Sequence, residues 1–192
     1  MKPLPLDYFQ NYADDDVEDR TYQSNWRDYG FQRFEDYLKA LKSRYRTQPK
    51  SVFEIGSADG SVIRELRSRG IDARGVELSS AMFQQAGLER SRIACADAFQ
   101  VMKAIPDNAY DCVYETAAQY IPEKMLRRYF REIRRITKSD LVLVVHTYED
   151  DPKPHHYQVN HKPSGFWFDL LDECGFRSMS EDAPFWFAKE QP

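Results

Sequence analysis

Long hydrophobic runs, cysteine pairs and a strong charge of either sign are all missing from this chain of 192 residues. No stretch approaches the roughly 18 consecutive apolar residues of a membrane-crossing helix. The opening MKPLPLDYFQ has no apolar core of a secretory signal. Both absences lead to the expectation of a soluble, cytoplasmic protein that does not engage a membrane. The 3 cysteines, Cys95, Cys112 and Cys174, are odd in number and far apart. That pattern reads as free thiols in a reducing compartment, not as a disulfide framework or a zinc knuckle. A formal net charge of −4 argues against a protein held on nucleic acid mainly by neutralising phosphates. Internal repeats and low-complexity segments are absent as well.

What is present is an ordinary globular composition, 42% apolar and 30% charged. One domain of this length buries roughly 70% of the surface of its unfolded chain, so a metal or disulfide staple is unnecessary. Residues 1–30 stand apart. They carry Tyr8, Phe9, Tyr12, Tyr22, Trp26 and Tyr29 around an acidic run from Asp14 to Asp19. With few aliphatics and many aromatics, this segment reads as an arm laid over the active site of a main domain at 31–192. Its consecutive carboxylates read as a solvated stretch, because they cannot all face one ion.

From residue 31 the pattern is regular. Helices are expected over 31–45, 61–69, 79–86, 122–137 and 166–174, from apolar spacing, a serine cap at Ser79 and a stop at Gly70. Strands are expected over 51–55, 71–78, 92–96, 110–115 and 141–145, with a final hairpin near 176–179 and 185–188. Alternating strands and helices imply a doubly wound α/β sheet with right-handed crossovers. Ligands then bind outside the carboxyl ends of the strands.

The first strand runs into Glu54-Ile55-Gly56-Ser57-Ala58-Asp59-Gly60, a turn that lets backbone approach a ligand ahead of a helix N-terminus. The second ends in Glu77-Leu78, where a carboxylate suits ribose hydroxyls, and the third in Asp97-Ala98, suited to an adenine amino group. In these motifs, from about residue 31 to 190, the chain resembles the class I S-adenosylmethionine-dependent methyltransferases. The family's first motif is an acid followed by three alternating glycines. Here Ala58 replaces the middle one, adding a methyl group that most turn conformations permit. The G-x-G-x-x-G spacing of nicotinamide dehydrogenases is not met, since its third glycine would fall on Ser61.

The resemblance implies a Rossmann-like, seven-stranded, mostly parallel sheet of order 3-2-1-4-5-7-6, its last strand antiparallel. It implies S-adenosylmethionine as cofactor and S-adenosylhomocysteine as product. Carried over residue by residue, Glu54, Gly56 and Gly60 line the methionine end, with backbone contacts from Ser57 and Ala58. Glu77, beside Leu78, holds the ribose, and Asp97 and Ala98 hold the adenine edge. Glu115, with Thr116 and Ala117, closes over the methionine.

The acceptor is less directly written. The Asn/Asp-Pro-Pro-aromatic motif of amino-nitrogen enzymes and the Pro-Cys nucleophile of cytosine enzymes are absent. Thr116 stands where metal-dependent relatives place a ligand aspartate, so no metal is expected. What remains is transfer to an oxygen or nitrogen of a small-molecule or saccharide acceptor. All 4 histidines, His146, His155, His156 and His161, fall after the fifth strand, and a neutral imidazole there suits a general base. Catalytic candidates are His146, Glu115, Tyr120 and His156. Acceptor contacts are expected from Tyr22, Trp26, Tyr120, His155, Asn160 and His161. Two alternatives stand beside this reading: a cofactor-binding partner subunit without transfer activity, and a protein or RNA methyltransferase. The second would use the basic face Arg127, Arg128, Arg131, Arg134, Arg135 and Lys138.

Overall fold

Five strands, β1 (Ser51–Ile55), β2 (Asp72–Glu77), β3 (Ile93–Cys95), β4 (Tyr110–Glu115) and β5 (Thr137–Leu143), pair in parallel. Beyond them β7 (Phe185–Lys189) runs antiparallel to both β5 and β6 (Phe176–Ser178). The sheet order is β3-β2-β1-β4-β5-β7-β6, the doubly wound topology expected from the sequence. This computed structural model describes residues 22–43, 47–87, 92–149, 158–180 and 185–190, with backbone alone for 22–31 and 85. Among them no helix is long and apolar enough to cross a membrane.

Alternation along each strand sends side chains to two separate cores. On one face, Val52, Tyr114 and Val142 pack under α1 (Tyr22–Ser43), α2 (Ser61–Ser68) and α3 (Ser80–Ala86). On the other, Phe53, Ile55, Val113, Leu141 and Leu143 pack under α4 (Ala98–Lys103), α5 (Glu123–Ile136) and α6 (Ser164–Glu173). Strands buried on both sides are the reason the central segments read as near-continuous apolar runs.

Three elements differ from the sequence expectation. Helix α1 begins at Tyr22, not near Phe31, and so runs through the expected boundary between arm and domain. The aromatic and polar residues of 22–30 carry no clear apolar stripe, which hid the helix. Helix α4 was not anticipated; it is short and is opened by Asp97, whose Oδ1 accepts from Phe99 N at 2.9 Å. Strand β5 begins at Thr137, directly after α5, and takes in the polar Lys138-Ser139-Asp140. Thr137 makes that abrupt change by donating its hydroxyl to Ile133 O at 2.6 Å.

Asp140 is buried in β5 at 4% exposure and accepts from the Tyr37 hydroxyl at 3.0 Å. Burial, with the neighbouring Cys112 and Asp140, holds the Tyr37 phenol well above its ordinary pKa, so it stays a donor. The Tyr37 ring packs edge-on against Phe34 and Trp186, at 5.3 and 5.4 Å. One side chain therefore fastens α1 to the sheet through both its ring and its hydroxyl. Tyr37→Phe keeps the ring packing and removes the donor, at an expected cost of about 1–3 kcal/mol. Urea unfolding measures it, and an unchanged midpoint would mean that this bond contributes nothing to holding α1.

Candidate active site

The turn after β1 folds tightly because its residues accept left-handed backbone. Gly56 sits at φ 83° and Gly60 at φ 70°. A Cβ on Gly56 would lie 2.7 Å from Thr116 Oγ1, so no side chain fits there without moving the loop after β4. Ala58 also has positive φ, at 44°. The sequence reading took its added methyl group as one that most turn conformations permit, and this turn is an exception. In the left-handed region its methyl group crowds the backbone, at a cost of roughly 1–2 kcal/mol.

Glu77 holds that turn in place. Its Oε2 accepts from Ala58 N at 2.8 Å and its Oε1 from Ser79 N at 2.7 Å. Burial raises its pKa, and these backbone donors oppose the rise. Ser57 is buried and donates to Glu54 O and Val76 O, stitching the turn to β1 and β2. Glu54 differs from every other acid in the cluster. It is 1% exposed, and neither carboxylate oxygen has a hydrogen-bond partner among the described residues. Burial first, then the charges of Asp59 and Glu77, push its pKa well up; Arg64 opposes them. Leu78 is half-buried beside Glu77, Asp97 is half-buried at the α4 cap, and Ala98 is buried behind it.

The segment after β4 is braced from two sides. The Thr116 hydroxyl approaches Ile55 O at 2.9 Å and Gly56 O at 3.1 Å. Glu115 has no exposed surface; its Oε1 accepts from Ala117 N and its Oε2 from the Tyr129 hydroxyl, both at 2.6 Å. Desolvation pushes its pKa up to about 8, against the donors Tyr129, Ala117 and Ala118.

Gln119, which sequence reasoning did not single out, ties together the segments that follow β4 and β5. Its Oε1 accepts from His146 N at 3.0 Å and from Gln158 Nε2 at 3.1 Å. Its carbonyl accepts from both Val159 N and Asn160 N at 3.0 Å. The only sequence signal was a polar residue in an otherwise apolar loop.

His146 and Tyr120 are half-buried at this end of the sheet. Asn160 is fully buried and donates Nδ2 to Ile121 O, while its Oδ1 has no partner among the described residues. His161 stacks on Tyr148 with centroids 4.2 Å apart, and its Nε2 lies 3.3 Å from Thr147 O. The structure thus brings His146, Tyr120, Asn160 and His161 to one loop cluster. His155 and His156 lie outside the described residues, as do the side chains of Tyr22 and Trp26.

A glycine turn, an acid at the end of the next strand and this strand order define a doubly wound α/β protein, a fold whose ligands bind at this end of the sheet. Residues 53–145 match the model of a methyltransferase domain family. No curated protein sequence is significantly similar to the chain. Among solved structures it resembles magnesium protoporphyrin IX methyltransferase from Synechocystis PCC 6803 with bound S-adenosylhomocysteine. The two are 15% identical, at TM-score 0.66, over 96% of this chain and 97% of that one. It also resembles a Haloferax volcanii methyltransferase complex with the activator Trm112 (18%, TM-score 0.61, 83% and 75%). A third likeness is to an S-adenosylmethionine-dependent methyltransferase from Archaeoglobus fulgidus (19%, TM-score 0.59, 79% and 69%). At these identities the likeness to solved structures is one of fold. With the domain match over residues 53–145, it supports S-adenosylmethionine-dependent methyltransferase activity with S-adenosylmethionine as cofactor.

The buried Glu115 has a consequence for stability. An acid whose pKa is raised on folding binds its proton more tightly in the folded state. Its contribution is complete below the ordinary value of 4.5 and is lost as pH rises to about 8. Glu115→Gln removes that titration while keeping the shape. Its stability relative to wild type should therefore improve steadily across this window, read by urea unfolding at several pH values. Parallel curves would show that Glu115 does not titrate there.

Proposed function

We propose that this methyltransferase acts without a metal on an oxygen or nitrogen of a small-molecule or saccharide acceptor. The acceptor would be seated between the glycine turn and the loops gathered by Gln119. One observation carries the choice of a small acceptor over protein or RNA. Half of the basic face formed by α5 and the start of β5 is paired with acids: Arg127 pairs with Glu173, Arg135 with Asp107 and Glu132, and Lys138 with Asp111. Its cationic end adjoins Thr137, at the start of β5, which is the end of the sheet away from the glycine turn. A polyanion lying there would be far from the transferred methyl group.

The residues fit the cofactor. Glu54 offers two buried, unpartnered carboxylate oxygens at the turn, suited to the ammonium group of a methionine. Glu77 spends one lone pair of each oxygen on backbone and keeps the others for ribose hydroxyls. Asp97 and the Ala98 backbone stand at the adenine edge, and Gly56, Ser57, Ala58, Gly60 and Leu78 shape the wall between.

When bound, the cofactor supplies an activated methyl group on a sulfonium. The chain's main contribution is then alignment, which can lower a barrier by roughly 7–11 kcal/mol. Glu115 and Thr116 hold the loop after β4 at the correct height. His146 is the leading acceptor of the substrate's proton, followed by Tyr120 and His156, and Glu115 acts as a positioning residue because both of its oxygens are engaged. Asn160 anchors the segment 158–162 to Ile121, and acceptor contact is assigned to His161 and His155. The segment 1–30, with Tyr22 and Trp26, is proposed to cover the mouth and exclude water.

Glu77→Ala should weaken S-adenosylhomocysteine binding by about 1.5–3 kcal/mol, read by calorimetry. Equal affinity would remove Glu77 from the ribose site.

Incubation of labelled S-adenosylmethionine with fractionated cell extract should place label in the small-molecule fraction. Label in protein or RNA would overturn the small-acceptor reading, and tight binding without transfer would favour a partner subunit. With an acceptor in hand, His146→Gln should flatten the acid limb of the rate profile and slow turnover by ~10²–10⁴-fold. An unaltered pH profile would move proton transfer away from His146.

A further inference from the structure

A second cleft, of about 690 Å³, lies between the C-terminal ends of α5 and α6 and the last strand. It is lined by Arg131, Arg134, Arg135 and Lys189 against Asp107 and Glu173. The two acids are already engaged, Asp107 by Arg135 at 2.8 Å and Glu173 by Arg127 at 2.7 Å. Three cations are left without a carboxylate at ion-pair distance among the described residues: Arg131, Arg134 and Lys189.

Two of these three are held in place by neutral oxygens. Lys189 Nζ donates to Asn108 Oδ1 at 2.6 Å and to Thr137 O at 2.7 Å, leaving one N–H. Arg134 donates Nε to Gly175 O at 3.2 Å and Nη2 to Glu190 O at 3.0 Å, leaving Nη1 uncommitted. The Arg134 side chain lies directly on Gly175, where a Cβ would come within 2.5 Å of Nε. The fork is thus fixed by the backbone rather than by an acid. Burial and the neighbouring Arg134 lower the Lys189 pKa, so these like charges repel one another in the absence of an anion. Carbonyl oxygens that orient cations without neutralising them leave their charge available to a ligand.

We infer that this cleft binds a small phosphorylated ligand, with its phosphoryl oxygens received by Arg131, Arg134 and Lys189. Its volume suits a molecule of nucleotide size, and a guanidinium fork beside an ammonium matches the geometry of a phosphate group. An extended nucleic acid fits less well, because Arg127 and Arg135 on α5 and the neighbouring Lys138 are already paired with acids. The cleft is separate from the cofactor turn. Lys189 follows Ala188, the partner of Asp140, and so lies at the amino-terminal end of β5.

Calorimetric titration of inorganic pyrophosphate into the full chain tests this. Saturable binding with one site per chain, weakening as salt is raised, is expected. Arg131→Gln holds up no carbonyl and should fold normally, yet weaken pyrophosphate by at least ~tenfold. Lys189→Met, checked for folding by circular dichroism, should do the same. Affinity for S-adenosylhomocysteine should be unchanged in Arg131→Gln. Adenosine triphosphate should compete with pyrophosphate. Three results would overturn the inference: no pyrophosphate binding to wild type, equal binding by wild type and both variants, or displacement of S-adenosylhomocysteine by pyrophosphate. Binding of an RNA oligonucleotide without binding of pyrophosphate would also overturn it.

Discussion

Three carboxylates, Glu54, Glu77 and Glu115, sit at the carboxyl ends of adjoining strands, each less than a tenth exposed. Taking such groups out of water costs several kcal/mol apiece unless donors replace the lost hydration. The loops at this end of the sheet supply those donors unequally. Glu77 accepts from the backbone of Ala58 and Ser79, Glu115 accepts from backbone N–H and the Tyr129 hydroxyl, and Glu54 has no donor among the described residues. Loop conformation follows from that need. Ala58 is held in the left-handed region with its N–H on Glu77, and Ala117 is turned so that its N–H reaches Glu115. Glu54 is the member of the cluster whose oxygens stay without a donor among the described residues.

The same logic couples the glycine turn to the segments that follow β5. Thr116 touches the carbonyls of Ile55 and Gly56, and three residues later Gln119 holds His146, Gln158, Val159 and Asn160. A short segment after β4 is thereby fixed to the glycine turn at one end and to the histidine-bearing loops at the other. Precise alignment of donor and acceptor depends on such bracing, since transfer is sensitive to small displacements.

The opposite end of the sheet has a different character. There Tyr37 secures α1 to Asp140, and Lys189 and Arg134 rest on carbonyl oxygens beside the start of β5. Buried glutamates collect at the end with the glycine turn, and the cations of the second cleft lie at the far end, beside Asp107 and Asn108. This polarity along the strands is not apparent from a net charge of −4.

Much of this was legible in the sequence. Apolar periodicity marked the strands and the larger helices, and Gly56, Gly60, Glu77 and Asp97 marked the carboxyl ends of β1, β2 and β3. These signals are local: they depend on side-chain period, turn chemistry and spacing, which one segment carries by itself. Helix α4 and the polar start of β5 were not legible, because Asp97 reads as a ligand before it reads as a cap and Asp140 reads as surface. Burial of Asp140 depends on Tyr37, more than a hundred residues away (separation 103). The roles of Gln119, Tyr129 and the Arg134–Lys189 cleft likewise arise only from long-range contacts. By itself the sequence determined the layered α/β order and the cofactor turn. Tertiary structure alone decided which polar groups are left unsatisfied, because satisfaction depends on neighbours that only folding brings within hydrogen-bond reach.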